Sequence, residues 1–155
     1  MNAAEADLRF PVLAIPEDRG EWADVWGPPT LDILQRCGPR ALKDGLQIGI
    51  EIIDLEGRRF IVRSVRRVGR DRPLLRWIVG FLLAGPQYRI EHELEPLKPL
   101  SLEETQEKVC VRMRAHPECW QDHELTLPEL LEGVAATRTI GEIHALLSLD
   151  DFRVP

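Results

Sequence analysis

The residues with the clearest chemical meaning in this sequence are arginines. Between positions 58 and 76 the chain carries eight arginines and one acid, Asp71, a local charge of +7, whereas its net charge is −6. Guanidinium groups at alternate positions of a strand present forked donors that suit carboxylates or phosphates, so this stretch predicts a partner-binding surface. The alternative is an arginine face that only meets the chain's own carboxylates. The predicted binding arginines are Arg59, Arg63, Arg67, Arg70 and Arg72.

Nucleic acid is a poor match for this arginine cluster. Sites for single strands interleave basic residues with aromatic ones, and positions 58–72 hold only Phe60, which we predict on the opposite face. The acidity of the whole chain also argues against nonspecific coating of nucleic acid. We therefore expect a protein partner with an acidic or apolar surface.

A nearly all-apolar segment follows the arginines at positions 73–83 and contains Trp77 and Phe81. A helix without a polar face is usually buried, here as a crossover between two strands. The other interpretation is an exposed patch, positions 70–84, that docks on a partner or on an anionic membrane surface with help from its arginines. The segment is too short to span a bilayer, which takes about 20 apolar residues.

Four residues of zinc-ligand type stand close together near the C-terminal third of the chain. Their C-x5-H-x2-C-x3-H spacing differs from that of familiar structural sites, and Pro117 breaks the chain between them, so we expect no metal and no cofactor. The three cysteines are an odd, sparse set, and the N-terminus lacks a secretory signal, which favours the cytoplasm. The zinc-type residues are Cys110, His116, Cys119 and His123.

Catalytic motifs are absent from the sequence: it has no phosphate-binding glycine loop, no Gly-x-Ser-x-Gly and no His-Glu-x-x-His. His92 stands between two glutamates, but strand alternation sends its side chain to the face opposite both. If the protein binds a small anionic ligand or is an enzyme, we expect a pocket between sheet and helices built around Trp77, Tyr88 and His92.

The elements that position these residues begin with a β-hairpin over positions 46–68. Alternating isoleucines from Ile48 to Ile52 predict the first strand, and Arg59 to Val68 predicts the second. Between them, Asp54 and Gly57 favour a type I turn closed by a left-handed glycine. This turn places Ile52 opposite Phe60, Ile50 opposite Val62 and Ile48 opposite Ser64. The arginines at 59, 63 and 67 then share the other, hydrated face with Glu51.

A third strand is predicted at positions 87–97, where Tyr88, Ile90, His92 and Leu94 alternate with Arg89 and a row of glutamates. Joined to the hairpin, this row faces the arginines, and helices cover the apolar side of the sheet. Besides the crossover segment, four helices are predicted, two of them with capping boxes, at Ser101 and Thr139. The helices are Thr30–Cys37, Ser101–Ala115, Pro128–Ala136 and a last one from Thr139, which with its predecessor forms a C-terminal pair.

These elements predict one α+β domain over positions 1–155, with a small antiparallel sheet packed against helices. The favoured function is a noncatalytic protein-interaction module, such as an adaptor, an inhibitor or an immunity-type protein. The alternatives are the small-ligand binder or enzyme and a peripheral membrane protein that docks through positions 70–84. The exposed edges of a small sheet would also allow two copies to form a homodimer.

Overall fold

The computed structural model describes residues 1–17, 24–70 and 87–149, with the side chain of Arg70 left out. Within these residues the chain forms a five-stranded antiparallel sheet with helices, which confirms the α+β prediction. The strand order is β1-β3-β4-β5-β2. The strands are β1 (Leu13–Ile15), β2 (Arg36–Cys37), β3 (Glu51–Ile53), β4 (Arg59–Arg70) and β5 (Tyr88–Leu97).

The hairpin β3–β4 forms in the predicted register near its turn, with Ile52 opposite Phe60. Gly57 has a φ of +77°, the left-handed conformation expected of the residue that closes this turn. The register prediction for Ile48 is wrong: this residue lies in a turn before β3 and is 40% exposed. Strand β3 is therefore only three residues long, much shorter than its partner β4.

Gly57 also packs closely against the chain that follows β5, because a Cβ at this position would lie 2.6 Å from the backbone oxygen of Leu100. Replacing Gly57 with alanine should lower the free energy of unfolding by about 2 kcal/mol, from positive φ and this contact together. Gly69→Ala is the matched control, since a Cβ there meets no atom within 4 Å. Denaturant unfolding of both variants checks the prediction, and equal stabilities would contradict it.

The sheet is covered on both faces at the β3 end. Ile52, Phe60 and Val62 pack against an N-terminal segment that includes Leu8 and Val12. Ile53 on the opposite face is fully buried beneath the C-terminal helices, together with residues of β1. The expectation that the face opposite the isoleucine face stays hydrated is therefore wrong at this end of the sheet. Strand β1, which the sequence analysis did not predict, explains the difference because it adds apolar residues to that second face.

The N-terminal half also differs from the prediction between positions 30 and 43. The predicted helix Thr30–Cys37 is a single turn, α1 (Leu31–Leu34), capped by the Thr30 side chain. Cys37 belongs to β2, and Gly38 begins the next helix, α2 (Pro39–Lys43), instead of ending the previous one. Pairing of β2 with β5 accounts for the change, because it draws residues 36 and 37 into the sheet.

The C-terminal helices agree closely with their sequence signals. Helix α3 (Leu102–Ala115) opens with the predicted capping box of Ser101 and Glu104. Helix α4 (Leu127–Ala136) has a second capping box, at Thr126, and α5 (Ile140–Leu146) is capped by Thr139 as predicted. Their apolar sides form one core with β1 and β3, to which Val109, Met113, Leu130, Val134 and Ile143 contribute fully buried side chains.

Candidate interaction surface

The outer half of strand β4 pairs on one side only within the described part of the chain. The last hydrogen bond between β4 and the chain that leads into β3 is donated by Gly49 N–H to the Val62 carbonyl, at 2.8 Å. Gly49 has a φ of +84°, and Ile48 N–H turns back to the Gly45 carbonyl, so the chain leaves β4 at this point. Beyond Val62, β4 pairs with β5. We call residues 63–70 and 88–95 the β4–β5 ribbon.

The opposite edge of the ribbon, which β5 forms, is paired with other parts of the chain. Strand β2 pairs with β5 through Cys37 opposite Tyr88, and Asn2 forms a bridge with Glu93. Among residues 1–17, 24–70 and 87–149, none pairs with the other edge of β4 past Val62. We call this edge, Ser64–Gly69, the open edge.

A network of ion pairs lines one face of the ribbon. Arg63 forms a bidentate pair with Glu95, with Nε–Oε2 at 2.7 Å and Nη2–Oε1 at 3.1 Å. Arg66 donates to Glu91 at 2.5 Å, and the Ser64 hydroxyl donates to Glu93 at 2.7 Å. The hydrogen bond from Arg63 lowers the pKa of Glu95 below its ordinary value. The predicted row of glutamates opposite arginines therefore forms.

Arg67 does not share that face, which corrects the prediction that arginines 59, 63 and 67 lie together. A β-bulge between Val62 and Ser64 adds one residue to β4, so Arg66 takes the place predicted for Arg67. The Arg67 guanidinium lies 3.9 Å from the centre of the Tyr88 ring on the other face of the ribbon, in a cation–π contact. The alternating pattern of residues in β4 does not predict this bulge.

Arg59 stands apart from the ribbon, at the junction of the sheet with helix α3. Its Nε donates to Glu51 at 2.6 Å, and Lys108 donates to the same carboxylate at 3.1 Å. Burial raises the pKa of Glu51, but these two hydrogen bonds outweigh it and leave the pKa below its ordinary value. Arg59 also lines an open groove of about 570 Å³ with Leu100, Glu103, Glu104, Glu107 and Lys108. The partly buried ion pair with Glu51 favours a structural role for Arg59.

The alternative ligand pocket stays a prediction, because only two of its three predicted residues, Tyr88 and His92, lie in the described part of the chain. His92 is 2% exposed, and its Nε2 lies 2.5 Å from the Gln47 side-chain oxygen. Burial lowers the pKa of His92 to about 4, so the ring is neutral near pH 7. Tyr88 is half-buried beneath Arg67, and the groove beside α3 contains neither residue. Trp77, the third predicted member, lies outside the described residues.

The four zinc-type residues face different partners. The Cys110 thiol is buried against the Leu131 carbonyl, His116 pairs with Glu118 at 3.2 Å, and His123 accepts a hydrogen bond from its own loop. No group of three or more histidines, cysteines or acids in the described parts of the chain could hold a metal ion. Burial, with nearby Asp24 and Glu118, raises the pKa of Cys119 to about 11, which disfavours a thiolate nucleophile.

Two buried polar contacts were not predicted from the sequence. Asp54, predicted only as a turn residue, is fully buried and binds Arg58. His144 in α5 is 2.9 Å from the Gly27 carbonyl through its Nε2, a contact between residues far apart in sequence. The Asp-x-x-Gly-Arg order gave a signal for the first contact, whereas no local pattern indicates the second.

The predictions for Arg72, Trp77, Phe81 and the apolar segment 73–83 fall outside the described residues. Of the helices that are described, none is long and apolar enough to cross a membrane. No protein-family model matches the chain, and comparisons with curated proteins and with solved structures found no match. The β4–β5 ribbon is therefore the candidate functional site.

Proposed function

We propose that this protein is a noncatalytic protein-interaction module that binds an acidic partner through the β4–β5 ribbon. The observation that carries the proposal is a strand with an open edge and four arginines, but no acid, among residues 63–70. Cations in this arrangement steer an acidic partner toward the ribbon and fix its register. A cytoplasmic location belongs to the same proposal, and the three free cysteines support it.

The ion pairs of the ribbon are compatible with partner binding because they are exposed. Arg66 is 75% exposed at its side chain, and Arg63 and Glu95 are each about half exposed. Solvent screens exposed pairs of this kind, so they contribute little to stability, and exchange of an internal carboxylate for one from a partner costs little. The internal glutamates hold the arginines in place until a partner arrives.

The proposal predicts that charge reversal on the ribbon removes binding while leaving the fold intact. The test variant is Arg63→Glu/Arg66→Glu, used as bait in a lysate of the native host. The matched control, Arg40→Glu/Arg114→Glu, makes the same change in charge at two exposed helical arginines that also pair with acids. We expect one set of proteins to be captured by the wild type and the control and lost from the ribbon variant.

Circular dichroism and thermal unfolding verify that both variants are folded, since exposed pairs contribute little to stability. Identical sets of captured proteins on all three baits would contradict the proposal, as would a wild-type bait that captures nothing above an empty resin.

A further inference from the structure

The open edge has the dimensions of a site for an added strand. Its six residues, Ser64–Gly69, extend for roughly 20 Å at the usual rise per residue, with one register shift between Arg67 and Gly69. Strand β5 satisfies one side of this backbone, and no described residue satisfies the other. An extended peptide can complete such an edge with main-chain hydrogen bonds, while side chains at alternate positions provide selectivity.

A second copy of this chain is a poor occupant of the open edge. Residues directly opposite each other in an antiparallel pair lie on the same face of the sheet, so the two registers with the greatest overlap of residues 63–70 place either Arg66 or Arg67 opposite its own copy. Like charges directly opposite each other destabilise a strand pair, and arginines on an edge strand oppose self-association for this reason. Charge repulsion therefore disfavours pairing of the open edge with the same edge of a second copy.

An acidic segment fits the same edge. Arg66 makes one hydrogen bond to Glu91 and is largely exposed, so further N–H groups of its guanidinium are available to a carboxylate on a neighbouring strand. Val68 is 52% exposed and offers a small apolar contact nearby. Alternating acidic and apolar residues in a partner would match both features.

We propose that an acidic, extended segment of a partner protein adds to the sheet as a sixth strand along the open edge. Backbone hydrogen bonds to Ser64–Gly69 provide affinity, and carboxylates that reach Arg63 and Arg66 provide selectivity. This inference rests on the proposed function and specifies how the ribbon recognises its partner.

The test uses the full chain and two synthetic peptides in calorimetric titration at low ionic strength. The first peptide has eight residues of alternating glutamate and valine with blocked ends. The second has the same side chains and charge but carries an N-methyl group at every peptide bond, so it has no backbone N–H to donate. Strand addition predicts that the first peptide binds about tenfold or more tightly than the second. The same binding should slow amide exchange within Ser64–Gly69.

The outcomes separate this inference from the proposed function. Equal affinities for the two peptides, both lost in Arg63→Glu/Arg66→Glu, would overturn strand addition and leave an arginine surface that binds acids. Affinity unchanged in that variant would overturn the proposed function as well. Strand addition is also overturned if the first peptide does not bind, or if the free protein is a dimer whose β4 amides exchange slowly at both edges.

Discussion

Asp54→Ala is expected to lower the free energy of unfolding by about 3 kcal/mol, because it removes a fully buried carboxylate that pairs with the partly exposed Arg58 and accepts backbone N–H groups. One carboxylate oxygen of Asp54 accepts the backbone N–H groups of Glu56 and Arg58, at 3.0 and 2.9 Å. The other accepts Arg58 Nε at 2.8 Å and the N–H of Arg9 at 3.3 Å. A single side chain therefore closes the β3–β4 turn and attaches the N-terminal segment to it.

Two further variants show how much of this loss of stability comes from the charge of Asp54 and how much from any change in the turn. Asp54→Asn keeps one acceptor oxygen but loses the charge, and it should fall between the wild type and Asp54→Ala. Glu56→Ala changes an exposed carboxylate in the same turn and should alter stability by about 0.5 kcal/mol or less. Chemical denaturation measures all three, and a value for Asp54→Ala within about 1 kcal/mol of the wild type would be inconsistent with this role.

His92 is expected to make the fold less stable in acid. Its pKa is about 4 in the folded protein because of burial, against about 6.5 in an unfolded chain. Between these values the unfolded state binds the proton and the folded state does not. The free energy of unfolding should therefore fall by up to about 3 kcal/mol as the pH decreases from 6.5 to 4.

His92→Gln isolates this contribution, because it removes the titrating ring and keeps a side chain able to bond to Gln47. Other groups act in the same range: burial raises the pKa of Asp24 to about 6, which gives stability the opposite dependence on pH. These contributions are common to both proteins and cancel in the difference between their profiles. Denaturant unfolding from pH 7 to 4 should give profiles that diverge on acidification, and parallel profiles would contradict the assignment.

Elements whose determinants are local could be predicted from the sequence. The helix starts at Ser101 and Thr139 and the turn from Asp54 to Gly57 each depend on side chains within a few residues of the backbone groups they satisfy. Strand β5 was also predicted, since its alternation is regular over ten residues. These elements agree in place and type with the structure.

Long-range pairing explains most of what the sequence analysis missed. Strand β2 contains two residues and exists because β5 offers an edge, so no pattern in positions 36–37 predicts it. The bulge near Ser64 is likewise a property of the β4–β5 pairing, and it places Arg66 instead of Arg67 on the face that carries Arg63. The burial of Ile53 depends on β1 and on helices about fifty or more residues further along the chain. Alternation alone assigns a face to each residue but does not reveal what covers that face.

The central claim is that the amides of Ser64–Gly69 are bonded along one edge of β4 and available along the other. Residue-resolved amide hydrogen exchange of the free protein by NMR tests it most directly. We expect alternation from Ser64 to Arg67, before the second register shift at Val68, with the amides that donate to β5 strongly protected and those that face away from it exchanging nearly as fast as in an unfolded peptide. Uniform, strong protection of all six residues would contradict the account.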